Sequence, residues 1–249
     1  MPEQVKVVEF RKSPLADCTK EDCSPLFAGL SEKAFAELAE LMLFIEYKKG
    51  ELIFQEGSFA SGVYIICSGQ VKYGKYSANR KKNRLLKIIN HGGILGMEEL
   101  FEPIPRIGYA RALKDTQVAF IERSHFVKFI GKHPAMLLRI CKELSRELMI
   151  FEFKLVEASY ETLEKNISRL LLSLAARYGV QKKSGLYIEA ELSRTDLAQM
   201  LGISLETAIH MLARLKNKGL IASDKHRIII IDKEGLESLA EPLPACYFI

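Results

Sequence analysis

The hydrophobic and polar positions of the chain form three successive patterns, and the first is typical of β-structure. Between about Gly50 and Glu122, short apolar runs are separated by turn residues, with glycines at intervals of roughly 8–12 residues. The apolar runs are Glu51–Phe54, Gly62–Cys67, Gln70–Tyr73, Leu85–Ile89 and Gln117–Ile121. Short strands at this spacing predict an all-β barrel or sandwich.

An amphipathic helix is expected ahead of the β region, over about Glu32–Glu46. Its apolar residues recur at the spacing that places side chains on one face of a helix. They are Phe35, Leu38, Leu41 and Met42.

The second pattern predicts one long helix that begins near Pro134, a residue well suited to a first helical turn. Its apolar positions alternate at four- and three-residue spacing and are Leu137, Cys141, Leu144, Leu148, Phe151, Leu155, Ala158 and Thr162. Such a repeat packs knobs into holes against another helix, so the first six are predicted to form a dimer interface. The alternative is a core helix buried within its own domain. A second apolar edge, at Met149, Phe153 and Val156, is expected to pack on the barrel.

The third pattern consists of short helices closed by a hairpin. A helix is predicted over Leu163–Tyr178 and a short strand over Gly185–Glu189. The boundary with the long helix falls near Tyr160–Asn166, where no Gly/Ser linker is present, so a tight hinge is expected between the two helices.

Residues 192–221 have the pattern of a helix-turn-helix. Ser193 is expected to cap the first helix, with Asp196 at the reciprocal third position. Gly202 ends that helix, and Ser204 caps the next one. Two short helices joined by a glycine-containing turn are typical of DNA-binding proteins, in which the second helix enters the major groove. The alternative for such a pattern is a purely structural helix pair.

The outer face of the second helix carries the side chains predicted to contact DNA. Glu206 can accept a hydrogen bond from a cytosine amino group, and His210 can donate one to a purine. Phosphate contacts are expected from helix starts and from basic side chains. The predicted DNA-binding residues are Ser193, Arg194, Ser204, Leu205, Glu206, Thr207, Ile209, His210 and Arg214. The two β-rich runs on either side of Ser223–Arg227 predict a hairpin, the wing.

Composition narrows the class of protein. The 249 residues are 48% hydrophobic and 27% charged, with a formal net charge of +5. No apolar run reaches the roughly 18 residues of a membrane span, and residues 1–12 lack the apolar segment of a secretion signal, which predicts a cytoplasmic protein without membrane contact. Five scattered cysteines do not form a disulfide framework. No Gly-rich phosphate loop, HExxH or Gly-x-Ser-x-Gly motif is present, so we do not expect an enzyme.

With these residues the chain resembles the CRP/FNR superfamily of transcription regulators over nearly its whole length. The matching segments are Lys49–Gly57, Val63–Val71, Gly96 with Leu100 and Phe101, Ala110–Leu113 and, most strongly, Arg194–Ile221. The resemblance implies a cyclic-nucleotide-binding-like β-roll and a homodimer through the long helix. It also implies that the protein binds palindromic promoter sites in double-stranded DNA and contacts RNA polymerase.

Pattern and resemblance together predict an α+β fold. Its N-terminal part is a jelly-roll-like double-stranded β-helix, followed by a long dimerisation helix and a C-terminal winged helix-turn-helix. The expected domains are an N-terminal extension at 1–22, a sensor β-roll at 23–133, the dimerisation helix at 134–162 and the DNA-binding domain at 163–249.

The predicted effector pocket departs from family members that bind cyclic AMP. Those members have a Gly-Glu pair and an Arg-Ser pair, where this chain has Gly96-Met97 and Arg106-Ile107. The changes remove an acceptor for a ribose hydroxyl and a donor to phosphate, unless Glu98 replaces the acceptor after a one-residue shift. Cyclic AMP is therefore disfavoured as the effector of a pocket formed by Gly96, Met97, Glu98, Arg106 and Ile107.

The recognition helix also departs from the family pattern Glu-Thr-x-Ser/Gly-Arg, because His210 stands at the arginine position. The bidentate contact of that arginine with guanine is lost, so a different operator is expected. Ile209 or Leu205 is expected to contact a thymine methyl group.

Several effectors remain open. Oxygen-sensing family members hold an iron–sulfur cluster on closely spaced N-terminal cysteines, and Cys18 and Cys23 alone do not supply such a set. These two cysteines are instead a redox pair or inert thiols. Haem is an alternative, with His91 or His125 as axial ligand. Regulation by another small molecule, or no effector at all, is also compatible with the sequence.

The sequence also allows a function of a different class. The β-roll alone is compatible with a cyclic-nucleotide-binding regulatory module of an enzyme or channel complex. That alternative leaves the helix-turn-helix unexplained.

Overall fold

A computed structural model describes residues 23–77, 82–102, 104–224 and 227–241, with the backbone alone at 156–160. The chain divides into two compact units, one up to Leu144 and one from Ser145. The division falls inside the long helix. The predicted N-terminal extension, 1–22, lies outside the described residues.

The first unit contains eight strands among its described residues. They are β1 (Leu43–Tyr47), β2 (Leu52–Phe54), β3 (Gly62–Ser68), β4 (Gln70–Tyr76), β5 (Asn83–Asn90), β6 (Ile94–Leu95), β7 (Tyr109–Ala112) and β8 (Thr116–Glu122). Two four-stranded antiparallel sheets result, in the orders β1-β8-β3-β6 and β2-β7-β4-β5. The chain passes from one sheet to the other at each step except between β4 and β5, which form a hairpin in one sheet, as in the predicted double-stranded β-helix.

Apolar residues cover both faces of the β1-β8-β3-β6 sheet, which explains the nearly continuous apolar run of β3. One face joins the other sheet in a core that includes Tyr64, Ile66 and Val71. The opposite face packs against helices through residues such as Val63 and Ile65. Strands buried on both faces have continuous rather than alternating hydrophobicity.

The helices of the first unit are a short 3-10 turn (Pro25–Phe27), α1 (Glu32–Glu40), α2 (Arg123–Lys132) and the start of α3 (Pro134–Tyr160). The predicted helix over Glu32–Glu46 is wrong beyond Glu40. Leu41 caps α1, and the segment from Leu43 becomes β1, which pairs with β8 at Leu43↔Phe120 and Ile45↔Val118. Pairing with a neighbouring strand overrode the local helical spacing.

The long helix α3 begins at Pro134, as predicted. Its buried side is formed by Met136 and Ile140, which join the core of the first unit together with half-buried Leu144. Met149 and Phe153 belong to the second unit and are exposed, so their packing on the barrel stays a prediction. The side chain of Val156 lies outside the description.

The second unit begins with the rest of α3 and continues with α4 (Leu163–Tyr178), β9 (Gly179–Lys182) and β10 (Gly185–Ile188). The predicted helix-turn-helix is α5 (Arg194–Leu201) and α6 (Leu205–Asn217), followed by β11 (Ile221–Asp224), β12 (Arg227–Ile230) and α7 (Lys233–Ala240). Strands β11 and β12 pair antiparallel as the expected hairpin, in a sheet of order β11-β12-β10-β9. Strand β9 was not predicted.

Candidate DNA interface and effector site

The first helix of the helix-turn-helix, α5, is fixed by the capping box that the sequence predicts. Ser193 Oγ accepts a hydrogen bond from the Asp196 backbone N–H at 3.1 Å, and Asp196 Oδ2 accepts one from the Ser193 N–H at 3.0 Å. The Ser193 hydroxyl also donates to Asp196 Oδ2 at 2.6 Å. Both donors of Ser193 are thus used inside the chain, which disfavours its predicted contact with a phosphate.

The turn and the second helix also follow the prediction. Gly202 caps α5 with φ = 71°, a left-handed conformation that glycine adopts without a Cβ clash. Ser204 caps α6, and its Oγ accepts a hydrogen bond from the Thr207 backbone N–H at 3.0 Å. The inner face of α6 is buried and consists of Ala208, Met211, Leu212 and Leu215.

The outer face of α6 is exposed in its N-terminal half. Leu205, Glu206, Ile209 and His210 all lie on the surface, and Thr207 is partly buried. Residues four apart are neighbours on a helix, so Leu205 lies beside Ile209, and Glu206 lies beside His210. Two apolar side chains and two side chains that can hydrogen-bond to bases therefore lie together on the N-terminal half of the helix. In helix-turn-helix proteins this is the half that reaches base edges.

Arg194 connects the first helix of the motif with the wing. Its Nη2 donates to Ser223 Oγ on β11 at 3.2 Å. Burial lowers the pKa of the Arg194 guanidinium from its ordinary value. Arg194 thus stands between α5 and the hairpin rather than on the outer face of α6.

The basic C-terminal half of α6 is bound to α4 through a carboxylate that the sequence analysis missed. Glu164 Oε1 accepts a hydrogen bond from Lys218 Nζ at 2.7 Å and lies 3.5 Å from Arg214 Nε. The hydrogen bond from Lys218 lowers the pKa of Glu164. Arg214, which is predicted to bind DNA, is half-exposed and already paired with the carboxylate of Glu164. No local pattern reveals this pair, because 50 residues of chain separate its members.

The predicted dimer residues on α3 have different environments. Leu137, Cys141, Leu148, Phe151 and Leu155 are exposed, with Leu148 at 61% and Leu155 at 71%. Leu144 is half-buried against the first unit. Thr162 lies beyond the helix, where it caps α4. An apolar stripe on the surface of α3 is therefore left in contact with solvent within one chain.

The predicted effector pocket is organised around Arg106, whose side chain is only 1% exposed. Its Nη1 donates to Glu99 Oε2 at 3.0 Å, and its Nη2 donates to the carbonyl oxygen of Gly62. The guanidinium lies 4.5 Å from the ring centroid of Phe54 and 5.6 Å from that of Tyr64. Glu99 is a residue that the sequence analysis missed.

Of the other pocket residues, Gly96 and Ile107 lie directly beside this ion pair. Gly96 has φ = 83°, and a side chain there would overlap the Arg106 guanidinium. Met97 is buried in the core, whereas Ile107 is exposed and donates its backbone N–H to Glu99 Oε1 at 3.0 Å. Met97 and Ile107 thus have different surroundings, and an effector pocket formed by all five residues stays a prediction.

Glu98 does not replace the missing glutamate of the Gly-Glu pair as a free carboxylate, because it binds Lys87 Nζ at 2.8 Å. Burial raises the pKa of Glu98, but the charge and hydrogen bond of Lys87 outweigh burial, so this pKa lies below its ordinary value. Glu98 is consequently an ionised partner of Lys87 at neutral pH.

The candidate haem ligands lie apart from Arg106. His91 is exposed and its Nδ1 lies 2.7 Å from the Cys67 carbonyl oxygen, whereas His125 is exposed and its Nδ1 lies 3.2 Å from Glu122 Oε2. Both residues are exposed, whereas cofactor sites bury most of the surface of their ligand, so these histidines do not fit an enclosed haem.

Of the two cysteines proposed from the sequence as a redox pair, Cys23 alone lies within the described residues. Cys23 is buried, and Cys18 lies outside the described residues. Among the described parts of the chain, no helix is long and apolar enough to cross a membrane.

Comparisons with known proteins match both units. Residues 44–133 match the cyclic nucleotide-binding domain family, and residues 166–239 match the Crp-like helix-turn-helix domain family. Over 211 residues the chain is 27% identical to the CRP-like cAMP-activated global transcriptional regulator of Mycobacterium tuberculosis, covering 85% of this chain and 94% of that protein.

Two solved structures share the fold. FixK2 from Bradyrhizobium japonicum has a TM-score of 0.71 at 23% identity and covers 82% of this chain and 99% of its own. The c-di-GMP responsive global regulator CLP of Xanthomonas campestris has a TM-score of 0.73 at 20% identity and covers 80% of this chain and 99% of its own.

Proposed function

We propose, since the chain belongs to the CRP/FNR family of transcription regulators, that it acts in the cytoplasm as a homodimer on palindromic promoter sites. In this proposal residues 23–133 form the sensor, 134–162 the dimerisation helix and 163–249 the DNA-binding domain. The protein regulates transcription through contact with RNA polymerase, as its family does, and it is not an enzyme.

The observation that carries the proposal is the exposed outer face of α6. Glu206 and His210 are free to meet base edges, and Leu205 and Ile209 add apolar surface for thymine methyl groups. Ser204, Thr207 and Arg194 are placed near the starts of α5 and α6, where backbone N–H groups favour phosphate. Exposed apolar side chains beside side chains that can hydrogen-bond to bases are typical of a helix that enters the major groove.

The homodimer is supported by the apolar stripe on α3. Contiguous apolar surface on a water-soluble unit marks an interaction site, and the heptad spacing of Leu148, Phe151 and Leu155 fits a second copy of the same helix. A two-fold dimer would carry two copies of α6, which is why a palindromic site is expected.

The effector is proposed not to be cyclic AMP. Met97 turns its side chain into the core at the position of the ribose-binding glutamate, and Ile107 offers only a backbone N–H, which Glu99 accepts. An unrelated small molecule, a redox signal or no effector at all stays compatible with the β-roll.

Selection of binding sites from random duplex DNA, followed by fluorescence anisotropy across a salt series, tests the DNA-binding function. We expect a preferred palindromic sequence and an affinity that falls steeply with salt, because bound phosphates release counterions. Weak binding that does not depend on sequence would contradict the proposal.

The variant Glu206→Ala tests the reading of bases by α6. We expect a loss of roughly tenfold in affinity for the preferred site, since one base contact contributes about 1–3 kcal/mol, with unspecific affinity near that of the wild type. Glu234→Ala removes an exposed carboxylate from the first turn of α7 and serves as the matched control. Equal weakening on all sequences would assign Glu206 a structural role instead.

A further inference from the structure

The ion pair of Glu99 and Arg106 is the most completely buried charged group that the structure describes in the β-roll. The two side chains are 2% and 1% exposed, and the distance between Arg106 Nη1 and Glu99 Oε2 is 3.0 Å. The second carboxylate oxygen of Glu99, Oε1, accepts a hydrogen bond from the Ile107 backbone N–H. The carboxylate therefore has a fixed position rather than the freedom of a surface side chain.

Arg106 has the surroundings of an anion-binding site in which the bound anion is the carboxylate of Glu99. The guanidinium is enclosed by the Phe54 and Tyr64 rings, and the missing side chain at Gly96 leaves the room that it occupies. Its Nε–H has no acceptor among the residues that the structure describes, although it is buried. Buried donors normally have an acceptor, and guanidinium groups bind the oxygens of anions. Without the Glu99 carboxylate, Arg106 could therefore hold the oxygens of an anionic ligand.

Charge balance decides which ligands this place can accept. One buried cation is balanced by one buried carboxylate, so a second anion would add an uncompensated negative charge in a medium of low polarity. An entering anion would have to displace Glu99 from Arg106 and also break its hydrogen bond to Ile107. Both steps oppose binding.

We propose that Glu99 permanently occupies the anion position beside Arg106, so that the β-roll excludes negatively charged ligands and any effector that it takes carries no negative charge. The inference deepens the proposed function, since it assumes that the β-roll is the sensor. It identifies Glu99 as the residue that determines ligand charge.

Thermal unfolding of the full chain in increasing inorganic phosphate tests the proposal. We expect phosphate to raise the Tm of Glu99→Ala with a saturable dependence, since a ligand that binds only the folded state stabilises it. The Tm of the wild type should rise less, because the general salt effect and any phosphate held at the helix starts of the second unit act equally on both proteins. Glu102→Ala removes an exposed carboxylate three residues away and is the matched control for net charge.

The double variant Glu99→Ala/Arg106→Met identifies the group that binds phosphate. It should lose the saturable gain, and in buffer without phosphate it should unfold at a higher temperature than Glu99→Ala, because no lone charge remains buried. If Glu99→Ala does not fold, Glu99→Gln keeps a hydrogen-bond acceptor for the Ile107 N–H and replaces it in both comparisons.

Calorimetric titration with cyclic AMP tests whether the site accepts the phosphate of a nucleotide as well as free inorganic phosphate. Binding of either probe by the Glu99 variant, and not by the wild type or the double variant, supports the proposal. Saturable binding of cyclic AMP by the wild type would overturn it, and so would a folded Glu99 variant whose gain in Tm with phosphate is no larger than that of the wild type and the double variant. These measurements use no DNA, so their failure leaves the proposed DNA binding untouched.

Discussion

At the scale of single residues, Glu164 controls how much positive charge the second unit presents beside α6. Its carboxylate binds Lys218 and lies close to Arg214, so two cations are paired within the chain. Both cations are nonetheless 40% exposed or more, within reach of solvent. A phosphate must compete with this carboxylate for them.

We therefore expect Glu164→Gln to strengthen DNA binding. Removing the negative charge frees Lys218 and Arg214 for phosphates, and each newly neutralised phosphate steepens the salt dependence of log K by about 0.9. Anisotropy titrations at several salt concentrations measure both effects. Glu237→Gln, which breaks a comparable ion pair with Lys233 on α7, is the control, and equal behaviour of the two variants would contradict a role of Glu164.

Ion pairs that form only after the chain has packed are the part of the sites that the sequence does not reveal. Glu99 is close to Arg106 in sequence, but its role depends on the burial of both side chains between the sheets. Glu164 and Lys218 are 54 residues apart and meet only after α4 and α6 have packed. Partners fixed by tertiary packing leave no periodic or capping pattern, so the sequence predicted the neighbourhood of these sites but not their ion pairs.

At the scale of elements, the helix-turn-helix was predicted almost residue by residue because its signals are local. Ser193, Gly202 and Ser204 set the ends of α5 and α6 through contacts within three or four residues. The strand β1 was predicted as a helix because its pairing partner, β8, is distant in sequence. Local chemistry thus determined the DNA-binding unit, and long-range pairing determined the sheets.

The capping box gives a direct test of this local control. Ser193→Ala removes the acceptor for the Asp196 N–H and leaves buried Asp196 with one donor fewer, so the free energy of unfolding should fall by about 0.5–2 kcal/mol. Urea unfolding followed by circular dichroism measures the change. Thr195→Ala, at an exposed position of the same turn, should have a much smaller effect. Equal losses would show that the box contributes little.

The stripe on α3 predicts the oligomeric state. Replacing Leu148 and Leu155 together with Glu should shift the protein towards monomer in analytical ultracentrifugation, because charges would be buried in an apolar seam. Met149→Glu/Phe153→Glu introduces the same two charges on the same helix, at exposed positions outside the stripe, and should leave the dimer intact. A dimer that survives the first pair of substitutions would place the seam elsewhere.

At the scale of the whole molecule, the proposed dimer and the recognition of DNA would depend on each other. A single α6 contacts only a few base pairs, so high specificity requires two copies that bind at once. The symmetry of the dimer then dictates the symmetry of the operator. The distance between the half-sites is consequently a property of the dimer and not of α6 alone.

The spacing of the half-sites tests this dependence. The wild type should prefer half-sites about one helical turn apart, or about 10–10.5 base pairs from centre to centre. Five inserted base pairs should reduce its affinity towards that of an isolated half-site. The reason is that the insertion rotates one half-site to the opposite face of the duplex. The same insertion outside the half-sites is the control. The Leu148→Glu/Leu155→Glu variant should bind both spacings equally and weakly, since its two copies of α6 are no longer linked. A wild type that is indifferent to the spacing would contradict binding as a symmetric dimer, even if Glu206→Ala had confirmed that α6 reads bases.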